Sequence, residues 1–293
     1  MPQVLKIGKA NATFQLLEAL KTKREKRNKL GFVFEGVRNI NNALKHKWNI
    51  TGFIYSTECG LSDWAREILR KSTARTHYDL SPPLLKRMSN KEEPSELMAI
   101  ADIPEDDLHK IPAKKDLLAV VFDSPGSPGN LGTLIRSCDA FGIDGLVITG
   151  HATDVYAPEA INATTGSLFS LPIVRLPSSA ELFPWIEALR NASPELEIIG
   201  TDEKGRETIY EHSFKKPTIL LVGNETRGLS AAYRQMANVL VRIPMGGSAS
   251  SLNVAVAASI VLSEAGRQRG NFSMAQPLTA PAGEHRWHND LQS

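Results

Sequence analysis

The 293-residue chain carries 34 Lys and Arg against 32 Asp and Glu, a net charge of +2, and 42% of its residues are hydrophobic. This composition is ordinary for a globular protein with room for two domains. The sequence has no apolar run near the ~20 residues of a membrane span, and its N-terminus lacks a signal-peptide segment. Its two cysteines, Cys59 and Cys138, match no disulfide framework or zinc spacing. We therefore expect a cytoplasmic protein with no metal site and no membrane association.

Positive charge is concentrated in the first 50 residues. Eleven Lys and Arg stand there against three Glu, a local balance of +8, so the remaining chain is net acidic. The densest group lies at residues 21–29. Clustered cations contact phosphates in nucleic-acid-binding proteins, but most charge runs are simply solvated helix faces. Both interpretations of residues 21–29 remain open at this point.

The first third of the chain alternates short strands and helices. Hydrophobic spacing predicts strands at 32–36 and 52–55, and helices at 37–45, 64–71 and 82–88. We interpret residues 1–105 as a small α/β domain. A polar, proline-containing linker is predicted at 106–116.

The second domain is predicted at residues 117–270. Apolar runs separated by helical stretches favour a parallel sheet with helices on both faces; the predicted strands are 117–122, 146–149, 171–176, 197–201, 218–222 and 239–243. The final residues, 271–293, are rich in polar residues, Pro and Gly, and we expect a flexible tail there.

Three segments of this domain share a pattern: 123–142, 221–230 and 243–254. Each follows a predicted strand, breaks at Gly, and presents Asn near the start of a predicted helix. Glycine allows a ligand to approach the backbone, and a helix start offers free amide groups. Gly126, Gly129 and Gly132 are spaced by three, which differs from the dinucleotide-binding fingerprint and disfavours a nucleotide-dependent oxidoreductase.

In this order and spacing, the three segments resemble the motifs of the SpoU (TrmH-like) family of RNA ribose 2′-O-methyltransferases, within the SPOUT superfamily. The resemblance covers about residues 117–267, and Ser-Leu-Asn-Val at 251–254 is its most specific part. It implies S-adenosylmethionine as cofactor, a homodimer, and a SPOUT-type α/β fold whose parallel sheet ends in a C-terminal trefoil knot. Phe-Glu-Gly at 34–36 resembles the ribosomal-protein-like RNA-binding domain that precedes many SpoU catalytic domains.

The resemblance also implies roles for polar residues of the three motifs. A ribose 2′-hydroxyl is a poor acid, so a group must accept its proton or stabilise the developing alkoxide. Arg136, six residues after Asn130, matches the Arg that is often described as the general base; a charged guanidinium is equally suited to electrostatic stabilisation. Glu225 is expected to orient Arg136 or Asn130. Ser251 and Asn253 are expected to face the target nucleotide, with helix capping as the alternative.

Cofactor contacts are expected mainly from backbone groups. Gly223, Ile243 and Leu252 match positions whose main chain holds the adenosine in SpoU enzymes, and Met245 and Thr149 are weaker additions. The helix after the third motif carries a smooth face suited to close packing against a second subunit, together with the helix at 131–141; this face comprises Leu252, Val256, Ser259, Ile260 and Ser263.

These observations predict an S-adenosylmethionine-dependent RNA 2′-O-methyltransferase. Ribosomal RNA is favoured over transfer RNA as the substrate, because the smallest transfer-RNA enzymes of the family lack a front domain. A transfer-RNA methyltransferase and a non-catalytic RNA-binding or assembly protein with the same fold remain the alternatives.

Overall fold

The structure, a computed structural model, describes residues 2–270; the predicted tail at 271–293 lies outside the described residues. The N-terminal part contains five strands and five helices in these residues. In chain order they are β1 (Gln3–Ile7), α1 (Ala12–Thr22), α2 (Arg24–Leu30), β2 (Phe32–Glu35), α3 (Val37–Lys45), β3 (Ile50–Tyr55), α4 (Asp63–Lys71), β4 (Thr76–Leu80), α5 (Pro82–Met88) and β5 (Leu97–Ala101).

These five strands form one mixed sheet in the order β1-β4-β3-β5-β2. The β1–β4 and β3–β4 pairs are parallel, whereas β5 runs antiparallel to both β3 and β2. One face packs on α1 and α5 through a buried apolar cluster. The strands are short and largely apolar on both faces, as expected for a sheet covered by helices on each side.

The C-terminal part contains seven strands and five α-helices within the described range. In chain order they are β6 (Leu118–Asp123), α6 (Pro128–Ala140), β7 (Gly145–Thr149), α7 (Pro158–Thr164), β8 (Ile173–Leu176), α8 (Leu182–Ala192), β9 (Glu197–Thr201), β10 (Glu207–Thr208), β11 (Thr218–Val222), α9 (Ala231–Met236), β12 (Val239–Arg242) and α10 (Val254–Arg269).

All seven strands are parallel, in the order β10-β12-β9-β11-β6-β7-β8. Alternate residues of the central strands enter two separate buried clusters, one on each face of the sheet. The parallel α/β architecture predicted from the apolar runs is therefore confirmed. The trefoil knot implied by the family resemblance stays a prediction.

Helix α6 illustrates how the sequence positions the site. Its Leu131, Leu134, Ile135 and Cys138 are buried, which fixes one face of the helix on the sheet. Burial raises the pKa of the Cys138 thiol, as expected of a packing residue rather than a nucleophile. The helix begins at Pro128, three residues before the predicted start at 131. Proline is favoured at the first position of a helix, where its missing N–H costs no hydrogen bond.

Aromatic side chains join the two parts of the chain into one packed unit. Phe34 of β2 lies 4.7 Å from Phe169, and Phe32 lies 4.7 Å from Tyr156, measured between ring centroids. Trp48 packs edge-on against Phe169 and donates a 3.0 Å hydrogen bond from Nε1 to its carbonyl oxygen. A buried cluster therefore runs without interruption from the first sheet to the second.

Candidate active site

The first-motif loop connects β6 to α6 and has a constrained backbone. Ser124 adopts a left-handed conformation with φ of 48°, and its amide donates to the Thr149 carbonyl at 2.9 Å. Ser127 caps α6, since its hydroxyl accepts a hydrogen bond from the Asn130 amide at 3.3 Å. Asn130 consequently lies in the first turn of α6 rather than before it.

Glu225, from the second motif, binds this loop directly. Its carboxylate accepts hydrogen bonds from the amides of Gly126, at 3.0 Å, and Ser127, at 3.1 Å. It also accepts one from Nδ2 of Asn130 at 3.3 Å. Burial opposes ionisation of this carboxyl, but the donated hydrogen bonds outweigh it, and the pKa of Glu225 is lowered. Glu225 is thus a charged clamp between the first two motifs.

Asn253 connects the third motif to the same network. Its Nδ2 donates to Oδ1 of Asn130 at 2.9 Å. Its own Oδ1 caps α10 by accepting from the amides of Ala255, at 3.0 Å, and Val256, at 3.3 Å. Helix capping and the hydrogen bond to Asn130 therefore coexist in one side chain. A continuous chain of hydrogen bonds, Glu225–Asn130–Asn253, unites three motifs that lie far apart in sequence.

Arg136 lies outside this network. Six residues separate it from Asn130 on the same helix, which places the two about 9 Å apart along the axis and on different faces. Its side chain is exposed and makes no hydrogen bond or ion pair with any residue in the described range 2–270. Glu225 therefore contacts Asn130 but not Arg136. Ser251 is also exposed, on the loop before α10.

A cavity of about 540 Å³ opens beside Glu225, at the carboxyl ends of β9, β11 and β12. Four of the five expected cofactor residues line it: Gly223, Ile243, Met245 and Leu252. The edge where parallel strands end is where α/β sheets bind their ligands. Ser251 lines the same cavity, as do Glu225 and the rest of the second-motif loop.

Thr149 does not line this cavity, and its expected contact with the cofactor stays a prediction. Its side chain is 1% exposed, and its hydroxyl is 2.6 Å from the hydroxyl of Tyr233. Burial raises the pKa of that tyrosine to about 12. Strand β7 also stands two positions from β11 in the sheet, separated by β6. Thr149 instead stabilises the packing of α9 on the sheet.

Gly223 is required by the fold of the second-motif loop itself. A Cβ atom at this position would lie 2.3 Å from the carbonyl carbon of Gly228 and 2.4 Å from the amide nitrogen of Leu229. The second-motif loop turns back on itself here, with paired backbone hydrogen bonds between Asn224 and Gly228. The close approach expected between this glycine and adenosine is thus also an approach between two backbone segments.

The sequence patterns missed one wall of the cavity, formed by residues 201–204 and Arg234. Asp202 and Arg234 form an ion pair in which the carboxylate is almost fully buried. Arg234 also donates from Nε to the Leu229 carbonyl at 3.2 Å, so it ties this wall to the second-motif loop. The sequence feature that could have located this wall is the predicted strand at 197–201. Residues that follow a parallel strand lie at the edge of the sheet where ligands bind.

Comparisons with known proteins identify the family. The sequence profile described as the SpoU rRNA Methylase family matches residues 117–263, and that of the SpoU L30e-like domain matches residues 11–99. The 23S rRNA (uridine(2479)-2'-O)-methyltransferase of Streptomyces viridochromogenes is 48% identical over 271 residues, covering 92% of this chain and 94% of that protein. The chain belongs to the SpoU rRNA methylase family.

Two further comparisons extend this relationship. The 23S rRNA (guanosine(2553)-2'-O)-methyltransferase RlmP of Bacillus subtilis is 30% identical over 246 residues, covering 83% of this chain and 91% of that protein. The crystal structure of the SpoU methyltransferase AviRb from Streptomyces viridochromogenes in complex with AdoMet superposes with a TM-score of 0.84. It is 48% identical, and the match covers 89% of this chain and 98% of that one.

This SpoU protein is an RNA ribose 2′-O-methyltransferase that uses S-adenosylmethionine. The family, enzyme class and cofactor expected from the three motifs are confirmed. The size and lining of the cavity also suit this cofactor. Its volume falls in the usual range for small-molecule sites, and Ile243 and Leu252 offer aliphatic surface to an adenine ring. Backbone donors and acceptors of the second-motif loop lie along the same wall.

Within residues 2–270, no group of three or more His, Cys, Asp or Glu side chains is arranged to hold a metal ion. No helix in the same range is both long and apolar enough to cross a membrane.

Proposed function

We propose that this SpoU enzyme methylates a ribose 2′-hydroxyl in large-subunit ribosomal RNA. Two relatives that this chain matches over most of their length act, by their names, on 23S rRNA. The structural observation that carries the proposal is the Glu225–Asn130–Asn253 network at the rim of the cofactor cavity. It supplies ordered polar groups beside the cavity, where a ribose must reach the methyl donor.

S-adenosylmethionine supplies an electrophilic methyl group on a sulfonium that is a good leaving group. The chain then has to orient the ribose and favour its deprotonated form, while the 2′-hydroxyl proton leaves to solvent water. Asn130 and Asn253 orient the ribose, because Glu225 fixes the amide of Asn130 and Asn130 fixes that of Asn253. Ser251 contacts the target nucleotide from the exposed loop at the cavity.

Arg136 stabilises the developing alkoxide by its positive charge. It has no carboxylate partner within residues 2–270, so its charge is available to a substrate oxygen or a neighbouring phosphate. A guanidinium remains protonated at neutral pH, which makes electrostatic stabilisation the better-supported role than proton abstraction.

We infer that the active enzyme is a homodimer formed through α10 and α6. The exposed side of α10 carries Val256, 45% exposed, beside Tyr210, 64% exposed, across a shallow apolar groove. Helix α6 is joined to this side by a 2.7 Å hydrogen bond between Ser137 and Ser259. Arg136 is adjacent to Ser137 on α6. In a dimer formed through this face, Arg136 of one subunit therefore reaches the cofactor cavity of the other. Two-fold pairing through one face is the commonest arrangement of homo-oligomers.

The two parts of the chain divide the work in this proposal. Residues 1–105 hold the RNA, 106–116 link the parts, and 117–270 carry out methyl transfer. The first 105 residues carry 18 Lys and Arg against 12 Asp and Glu, a net charge of 18 − 12 = +6, which suits a phosphate-rich partner. A ribosomal RNA substrate places the activity in the cytoplasm.

Mapping ribose methylation tests this function. The 23S rRNA from cells lacking the gene should lose one 2′-O-methyl group that returns with the wild-type gene. A gene encoding Arg136→Ala is the matched control and should not restore it. A methyl group that changes only in transfer RNA would replace the proposed substrate, and no change in any RNA would reject the proposal.

A further inference from the structure

Helix α2 of the front part is joined to the segment that follows β7 in the catalytic part. Arg27 donates from Nε and Nη2 to Oδ2 of Asp154, at 2.9 and 2.7 Å. The side chains are only 5% and 9% exposed, respectively. On the same helix, Arg24 donates to the Ala152 carbonyl at 3.2 Å. Two arginines of the basic cluster at residues 21–29 thus bind protein, and the buried Arg27 is no longer a candidate for RNA contact.

Arg27 is also fixed from its own side. Its Nη1 donates to the carbonyl oxygens of Leu20, at 3.2 Å, and Lys21, at 2.7 Å, at the end of α1. Asp154 is held in turn, because its Oδ1 accepts from the Tyr156 amide at 3.0 Å. A buried ion pair whose groups are all hydrogen-bonded fixes orientation, although it contributes little net stability.

The segment held by this pair contacts the first-motif loop. The Thr153 amide, next to Asp154, donates to the Pro125 carbonyl at 2.8 Å. The next two residues, Gly126 and Ser127, are those whose amides bind Glu225. The loop is therefore held from two directions: Glu225 binds its amides, and Thr153 binds the carbonyl at its start.

We propose that Arg27 and Asp154 are positioning residues for methyl transfer, which hold the first-motif loop, and with it Asn130, from the front part of the chain. This inference rests on the proposed function only in taking Asn130 to orient the ribose. Three exposed lysines stand at α2: Lys23 at its N-cap, and Lys26 and Lys29 within the helix. RNA phosphates bound there would contact the same helix that fixes the loop, so substrate binding and loop geometry share one element.

Amide hydrogen exchange of the intact protein tests the contact without any RNA. The variant Asp154→Asn removes the buried charge, and Glu18→Gln is its control, because Glu18 pairs with Arg87 on the surface of the front part, away from the Arg27–Asp154 contact. We expect Asp154→Asn to accelerate exchange in peptides covering 124–130 by about tenfold or more. The control should leave these peptides unchanged. Unchanged exchange in a folded Asp154→Asn protein would overturn the proposal.

A second variant separates positioning from simple destabilisation. Removing the charge of Asp154 alone leaves Arg27 buried without its partner, so we pair it with Arg27→Met, and no unpaired charge remains. The double variant should fold, bind S-adenosylmethionine normally in calorimetry, and still show fast exchange at 124–130. Normal protection in the double variant would show that the single variant reported charge burial only.

Kinetics then connect the loop to the reaction. With RNA that the wild type methylates, both Asp154 variants should lower kcat by about tenfold, since small misplacements are costly in oriented reactions. KM for RNA should stay close to that of Glu18→Gln. A rise in KM with unchanged kcat would overturn the positioning role. If the wild type methylates no RNA offered, the proposed function fails while the exchange result stands by itself.

Discussion

The first-motif and third-motif loops meet at the same cavity but are held very differently. Residues 124–130 are bound by Thr149, Thr153 and Glu225, and the loop ends in a capped helix. Residues 244–252 are exposed and make no hydrogen bond to the rest of the described chain; Met245 and Leu252 are 40% and 37% exposed. One loop is preorganised within a single chain, and the other is open.

This difference assigns different partners to the two loops. Preorganised polar groups stabilise charge during a reaction without having to reorient, which suits the ribose side of the site. An open loop with exposed apolar side chains gains order when a ligand or a second subunit covers it. We therefore expect changes in the preorganised first-motif loop to affect turnover or folding. Changes in the open third-motif loop should affect binding or assembly.

The largest effect is expected at Arg136. This residue belongs to the first motif, but its side chain is exposed like those of the open third-motif loop. Arg136→Ala should reduce methyl transfer by about a thousandfold, as removal of a key electrostatic group typically does. Affinity for S-adenosylmethionine in calorimetry should stay near normal. Arg136→Lys retains the charge and should keep measurable activity if the role is electrostatic. Near-normal turnover of the Ala variant would remove Arg136 from the mechanism.

Glu225→Gln should weaken the hydrogen bonds that hold the first-motif loop. We expect about a hundredfold lower turnover and a loss of about 1–3 kcal/mol in the free energy of unfolding, because two backbone amides lose a charged acceptor. The pKa of Glu225 is lowered in the folded protein. Its contribution to stability is thus complete above the unfolded pKa of about 4.3 and lost as the pH falls through the folded value.

Denaturant unfolding of both proteins at several pH values checks this sign. The stability difference between the wild type and Glu225→Gln should be largest at neutral pH and shrink in acid. A difference that stays constant down to about pH 3 would mean that the carboxylate charge does not hold the loop.

Two glycines provide a direct comparison of packing in the second-motif loop, which carries Glu225, and in the open third-motif loop. Gly223→Ala should destabilise the protein by about 1–3 kcal/mol, since the added Cβ would meet backbone atoms of Gly228 and Leu229. Gly246→Ala is the matched control in the open loop, because nothing lies within 4 Å of its added Cβ. Thermal unfolding measures both. Equal effects would mean that the second-motif loop relaxes around the new methyl group.

The smallest effect is expected at the exposed lysines of α2 and its N-cap. Replacing Lys23, Lys26 and Lys29 with Glu should weaken RNA binding and flatten the slope of log affinity against log salt. The slope should fall by up to about 0.7–0.9 for each phosphate that is no longer neutralised. Arg27 is left unchanged, because its side chain is buried at Asp154. An unaltered slope would make these lysines an ordinary solvated helix face.

Much of the fold could be predicted from local patterns. The strands at 197–201 and 218–222 and the helices at 37–45 and 82–88 have the predicted bounds, because their apolar residues recur at regular spacing between clear breaks. Strand β4 was not predicted. Its His77 and Asp79 are buried polar residues that interrupt the apolar pattern and are accommodated only by tertiary contacts, such as the hydrogen bonds from Thr57 to Asp79.

The site was predictable in composition but not in connection. The motifs named Asn130, Glu225 and Asn253, yet spacing could not reveal that these three form one hydrogen-bonded chain. Arg27 shows the opposite case. The sequence places it in a basic cluster that suggests an exposed residue, and only the fold brings Asp154 to it. Contacts between residues so far apart in sequence depend on topology, which local periodicity does not encode.

Mixing two inactive variants tests most directly whether Arg136 of one subunit acts at the cofactor cavity of the other. Arg136→Ala lacks the cation that we propose stabilises the alkoxide, and Ile243→Glu places a charge in the cofactor cavity. Light scattering should show that both variants still form dimers. If Arg136 acts on the partner's cofactor, half of the randomly paired dimers contain one intact site. Methyl transfer should then recover to about one quarter of the wild-type rate. No recovery after subunit exchange would contradict the shared site and confine each reaction to a single chain.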